Sequence, residues 1–224
     1  DNSSANIDLN NANMTNNSSS GDGGAINNKN SESLTVSNST LNGNTSGGNG
    51  GAINNTSNGT TSLDNVVAHN NTSSGNGGAV YTNKDMTITD SSFGVDKDGN
   101  PSFNNDSNGK NDIYIDGATV TLASETKDST INSGIAGDGT VNKTGSKDLN
   151  LSGKNDNFTG DLSVQNGNVN FSQSDAADTY IAGNTNISSG STVTLNNDLG
   201  NISAGSFSGD GKLVKDGSKD MTLT

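Results

Sequence analysis

The tetrapeptide Gly-Gly-Ala-Ile stands at residues 23–26 (Gly23, Gly24, Ala25, Ile26) and returns at 50–53 (Gly50, Gly51, Ala52, Ile53). Gly-Gly-Ala-Val follows at 77–80 (Gly77, Gly78, Ala79, Val80), so the interval is 27 residues each time. The units agree elsewhere too: Ile7, Leu9 and Met14 hold the places of Leu34, Val36 and Leu41, while Val36 matches Leu63 and Leu41 matches Ala68. A fourth unit starts two residues early, with Met86, Ile88 and Phe93 at the same spacing. It closes at residues 108–115, where Ile113 and Tyr114 are the counterparts of Val80 and Tyr81. A unit of this length cannot bury an apolar face alone, so it must stack on its neighbours.

Within each unit apolar and polar residues alternate over three to five positions, which is strand period. Helical spacing is missing, and Gly, Asn and Ser are poor helix interiors. The expected fold is therefore all-β: a right-handed parallel β-helix (β-solenoid) of about eight coils, roughly 40 Å long if each coil adds about 4.8 Å. In that geometry Ala25, Ala52 and Ala79 form one inward column and Ile26, Ile53 and Val80 another. The glycine pair lets the chain turn through positive φ and pass close to the next coil, where a Cβ would clash. Asn27, Asn28, Asn54 and Asn55 suit stacked amide ladders; nucleotide bias explains the Asn content equally well.

Composition narrows the function. Hydrophobic residues make up 26% and aromatic residues 4%, against roughly 45–50% apolar in ordinary domains. The 11 basic residues are all Lys, set against 24 acidic ones for a net charge of −13. Nucleic acid or an anionic membrane would be repelled, and the two-point guanidinium contact is lacking. No apolar run is long enough to span a bilayer as a helix. The absence of Cys excludes disulfides only and fits several compartments. With no signal peptide visible, the chain reads as a mature or excised piece.

From Ile135 the texture changes. Residues 137–152 align with 209–224 at an offset of 72, pairing Gly137, Gly139, Lys143 and Gly145 with Gly209, Gly211, Lys215 and Gly217. Residues 1–117 thus form coils with 27-residue repeats, and 118–224 continue the helix with a second repeat type, one copy at 137–171 and the start of another at 209–224.

Two resemblances follow from these motifs. The Gly-Gly-Ala-Ile tetrapeptide, with an apolar-x-x-Asn motif at 14–17, 41–44 and 68–71 and a variant at 93–96, resembles the repeats of polymorphic outer-membrane proteins. The usual Phe is present only in the last, which ends in Asp96 instead of Asn. The series from Gly137 to Phe171 looks like the passenger-associated repeat of autotransporters, with Phe158 in place of the usual Tyr. Both resemblances imply right-handed β-helix passengers delivered to the cell surface through a C-terminal barrel. Adjoining β-helix and a barrel are accordingly expected in a longer chain.

No catalytic, cofactor-binding or metal-binding residue is assigned. His69 is the sole His and takes a place filled by Thr15 and Asn42 in sister units, so it is read as solvent-facing. Residues 96–100 resemble a calcium loop through Asp96, Asp98 and Asn100, but Gly stands fourth and no Glu closes the loop, so a plain turn is the better reading. Thr-x-Thr strings at 87–89, 119–121 and 192–194 are too irregularly spaced for an ice-matching face. The expectation is a non-enzymatic, extracellular segment at the bacterial cell surface, acting as a stalk or an adhesive surface. Its partners would be host glycan, matrix protein or like molecules on other cells. A polysaccharide-acting enzyme and a self-associating module are the alternatives.

Overall fold

The computed structural model describes residues 5–100, 105–107, 111–153, 155, 157–173, 179–181 and 183–224. Asn108 and Lys110 of the motif at 108–115, and Asp156 of the passenger-type series, lie outside these. The described residues form short strands and no helix. Every strand pairing is parallel, and each strand pairs with its counterpart one winding away. The fold is a parallel β-solenoid.

Two nine-stranded sheets run the length of the chain. The first begins with Asn6–Asn10, Ser33–Ser37, Thr60–Asp64, Met86–Thr89 and Thr119–Ala123; the second begins with Asn13–Thr15, Thr40–Asn42 and Val67–His69. A third sheet joins Ile26–Asn28, Ile53–Asn55, Val80–Thr82, Ile113–Ile115 and Ile135–Gly137. The first sheet passes from Met86–Thr89 to Thr119–Ala123 without interruption, so residues 117 and 118 belong to one stack.

Alternation decides which side chains face the axis. In Ser33–Ser37, Leu34 and Val36 are wholly buried while their neighbours are half-buried. In the register of the sheet Leu9 lies on Val36, Val36 on Leu63, Ile88 on Leu122, and Lys143 between Leu122 and Val164. Each buried Leu, Ile or Val contributes about 1.5–3 kcal/mol. Several internal columns of them, shared by neighbouring windings, supply a core to a chain with few apolar residues.

The corners explain part of the Asn content. Asn11, Asn38 and Asn65 have φ of 55°, 50° and 52°, with Asp90 at 48° in the next winding. Asn16 and Asn70 have φ of 57° and 55°, and Gly43 takes the intervening place at 67°. Asn tolerates this left-handed region better than other residues with a Cβ. Asn166 and Gly167 do turn the chain, yet the strands they join, Asp161–Val164 and Asn168–Ser172, enter different sheets and make no hairpin.

The two copies of the second repeat do not stack on each other. Thr140–Thr144 belongs to the first sheet, whereas Lys212–Asp216 belongs to the second. The surroundings of their glycines nevertheless agree. A Cβ on Gly139 would meet Cγ2 of Ile115 at 2.3 Å, and one on Gly211 would meet Cγ2 of Ile187 at 2.3 Å. The motif is thus a corner fitted to an Ile of the preceding winding, whichever face that corner leads into.

Candidate functional site

The Gly-Gly-Ala corner divides its work between the two glycines. Gly50 lies at φ +66°, and Gly51 abuts the next winding so closely that a Cβ would sit 2.0 Å from the carbonyl oxygen of Gly78. Beyond the corner, the amides of Ala52 and Ile53 both donate to the Ala79 carbonyl, at 3.0 and 2.9 Å. Ile26, Ile53, Val80, Ile113 and Ile135 follow in one register column. Ala52 and Ala79 are wholly buried; Ala25 and Ile26, in the first winding, are half-buried.

Amide ladders run beside this column. Asn54 Nδ2 donates to Asn27 Oδ1 at 2.8 Å, Asn28 Nδ2 to Asn55 Oδ1 at 2.9 Å, and Asn55 Nδ2 to Thr82 Oγ1 at 3.1 Å. A second ladder, not anticipated from the sequence, is formed by the Asn of the apolar-x-x-Asn motif. Nδ2 of Asn17, Asn44 and Asn71 donates in turn to Oδ1 of Asn44, Asn71 and Asn105, at 2.8–2.9 Å. Each Nδ2 from Asn44 onward also reaches back to the apolar residue's carbonyl: Asn44 to Met14, Asn71 to Leu41 and Asn105 to Ala68, all at 2.9 Å. The spacing of the motif is thereby explained, since the apolar residue fills the core while its carbonyl receives the amide of the following winding.

The fourth unit breaks the sequence pattern and keeps the ladder. The position after Asn71 belongs to Asn105, not Asp96, because extra chain between Phe93 and Ile113 carries Asp96 outward. Asp96 is half-buried, and its oxygens accept the amides of Asp98 and Asn100 and the Asn100 side chain, at 2.8–2.9 Å. The Asn100 side chain first, and the backbone donors after it, hold the Asp96 carboxyl below its usual range. His69 is half-buried beside Asn70, and partial burial lowers its pKa against the opposing pull of Asp96.

Asp112 ends the ladder. It is wholly buried, with Oδ1 accepting from Asn105 Nδ2 at 2.7 Å and Oδ2 from the Ser133 amide at 2.6 Å. Burial pushes its carboxyl from 3.8 up to about 6, against the pull of those donors and of the Asn105 and Asn132 backbone. A folded pKa above the unfolded one gives stability that is complete below the unfolded pKa and is lost as pH rises through the folded one. The stability attributable to Asp112 should therefore decline between pH 3.8 and about 6. The decline is about 3 kcal/mol. Asp112→Asn, compared with the wild type by urea unfolding at pH 4 and pH 7, should remove that part of the pH dependence; identical pH profiles would contradict the assignment.

Lys143 is wholly buried in the inward column. Its ammonium donates to the carbonyls of Thr144, Gly145 and Asn166 at 2.6, 2.9 and 3.0 Å, which uses all three N–H groups. Burial lowers its pKa, with Asp148, Glu125 and Asp128 opposing. Lys215 repeats the local contact, with Nζ 2.5 Å from the Gly217 carbonyl, and is exposed. Both lysines thus tie a corner to itself.

On the outside of the third sheet the rings of Tyr81 and Tyr114 stack with centroids 5.9 Å apart. The Tyr81 hydroxyl donates to Asp116 Oδ2 at 2.5 Å; burial, and then that carboxylate, raise its pKa far above the ordinary value. Among the described residues, no group of three or more His, Cys, Asp or Glu converges as a metal would require, and no helix is long and apolar enough to cross a membrane.

No protein-family model matches the chain, and no solved structure matches it. Over 61 residues the chain is 39% identical to the Probable autotransporter YfaL of Escherichia coli (strain K12), covering 27% of this chain and 5% of that protein. The chain thus spans a small part of the length of the relative it matches. It is a parallel β-solenoid containing a stretch similar to an autotransporter.

Proposed function

We propose that this chain is a non-enzymatic passenger segment of an autotransporter-like protein, exposed by a bacterium at its surface or released from it, and serving as a rigid stalk, an adhesive surface or both. The observation that carries this reading is the 61-residue autotransporter similarity in a chain that folds as a parallel solenoid. The apolar-x-x-Asn units and the Lys-x-Gly corners, resembling outer-membrane and passenger-associated repeats, support it. Mechanically, stacked windings satisfy one another's backbone groups, and the buried amide ladders add side-chain bonds along the same axis. A stiff rod results from little apolar area, with outer faces rich in hydroxyl and amide groups.

The test places the chain between a secretion signal and an autotransporter barrel in Escherichia coli. The expected result is a passenger that protease removes from intact cells, delivered at the surface with or without a gain in binding to immobilised matrix protein and glycoprotein over barrel-only cells. Retention inside the cell, or depolymerisation of acidic polysaccharide by the purified chain, would overturn the reading.

A further inference from the structure

The early start of the fourth unit has a structural consequence at the corner leading into the first sheet. Four residues, 56–59, separate Asn55 from Thr60, but only residues 83–84 separate Thr82 from Asp85, which holds the register position of Thr60. The shortened corner leaves a hollow of about 380 Å³ between the flanking corners, lined by Asn58, Thr60, Lys84, Asp85 and Ala118 among others. A second hollow of about 240 Å³ shares Thr60 and Asp85 and continues onto the sheet between Thr87, Thr119 and Thr121. The first alone falls within the ~300–1,000 Å³ of small-ligand sites.

At several other places along this sheet outer polar side chains bind one another along the axis. Ser33 Oγ donates to Asn6 Oδ1 at 2.9 Å and Ser37 Oγ to Asn10 Oδ1 at 3.1 Å. Toward the other end Asn184 Nδ2 donates to Asp161 Oδ1 at 3.0 Å and Asn186 Nδ2 to Ser208 Oγ at 3.0 Å. In the trough, among the described residues, no such bond engages the hydroxyls of Thr60, Thr87, Thr119 or Thr121. The Asp85 carboxylate is exposed and is held in place by one bond, with Oδ1 accepting the Thr119 amide at 2.8 Å.

We infer that this trough is a binding site for a neutral saccharide, an inference that rests on the adhesive form of the proposed function. A carboxylate fixed at one oxygen accepts sugar hydroxyls strongly, because charged acceptors make the stronger hydrogen bonds. The Thr hydroxyls and the Asn58 and Asn83 amides serve as both donors and acceptors, and Lys84 donates to a ring or hydroxyl oxygen. The methyl groups of Thr60 and Thr87, both exposed, supply a small apolar surface for the C–H face of a pyranose. One carboxylate is balanced by one ammonium within the trough, while the chain as a whole carries −13. An acidic sugar would gain nothing from such a site.

The probes are the methyl glycosides of galactose, glucose and N-acetylglucosamine, with glucuronic acid as the acidic comparison, titrated into the ¹⁵N-labelled 224-residue chain. At least one neutral glycoside should shift the amides of residues 57–60, 83–87 and 117–121 at millimolar concentration, and glucuronic acid should shift them less. Asp85→Asn keeps an acceptor for the Thr119 amide and should weaken binding about tenfold or more. The double variant Thr60→Val, Thr119→Val should abolish it, with amide positions elsewhere unchanged. No shift with any of the three glycosides, shifts confined to other residues, or equal affinity for Asp85→Asn would overturn the site. If the chain mediates cell adhesion while the trough ignores all three sugars, the site falls and the adhesive reading stands. Sugar binding in the trough without any adhesion supports the site and counts against that reading.

Discussion

Replacing Asn71 by Ala is expected to destabilise the solenoid by about 2–6 kcal/mol, as the two Asn44 donors it strands each cost about 1–3 kcal/mol. The side chain is wholly buried and every hydrogen-bonding position on it is used. Oδ1 accepts the Asn44 amide at 3.0 Å and Asn44 Nδ2 at 2.9 Å, while Nδ2 donates to the Leu41 carbonyl at 2.9 Å and Asn105 Oδ1 at 2.8 Å. Truncation leaves two donors of Asn44 facing a space that apolar neighbours cannot fill with an acceptor. The comparison is Asn65→Gly. Asn65 also belongs to an axial pair, with Nδ2 donating to Asn38 Oδ1 at 2.9 Å, but it is exposed and at φ 52°, where Gly is at ease. That substitution should cost under about 1 kcal/mol. Urea midpoints for the two variants that coincide would mean that the buried ladder contributes no more than a surface amide pair.

The contrast between Asn71 and Asn65 also marks what the sequence disclosed. The 27-residue interval located the windings, and the column through Ile26, Ile53 and Val80, extended by Ile113, is where the repeat alignment puts it. The amide pairs of Asn27, Asn28, Asn54 and Asn55 were legible for the same reason. Three other features were not, each for a physical cause. The ladder through Asn71 passes to Asn105, 34 residues away, and Asp96 sits at the motif spacing after Phe93 as a decoy, because an outward excursion preserves local spacing while displacing the register. The burial of Lys143 depends on Asn166 and Gly167 of the next winding, which no local pattern encodes. The offset of 72 between the two later copies is not a whole number of windings, so identical residues enter different sheets. The trough at Asp85 lies between these cases. Its cause, a corner two residues short, is written in the sequence, but its volume appears only when the flanking corners are in place.

Gly51→Ala should have an effect as large as the loss of Asn71, for a steric reason. A Cβ there would lie 2.0 Å from the Gly78 carbonyl oxygen and 2.7 Å from the Thr72 amide nitrogen, both backbone atoms of the adjacent winding. No rotamer relieves that contact, so the windings must part and the bonds from Gly51 to the Gly77 carbonyl (3.0 Å) and from Gly24 to the Gly51 carbonyl (3.1 Å) must stretch or break. The expected cost is about 4 kcal/mol or more. Gly190 separates this clash from glycine's general value at corners: its φ is +84° but nothing lies within 4 Å of an added Cβ. Gly190→Asn should cost only about 1 kcal/mol. Because each winding touches only its neighbours, damage at Gly51 should stay local. Hydrogen exchange should accelerate first at the amides of residues 24–26, 51–53 and 78–80, while those of 140–144 and 192–196 keep their protection. Uniform loss of protection along the whole chain would show one global cooperative unit, not a stack of windings coupled through close backbone contact.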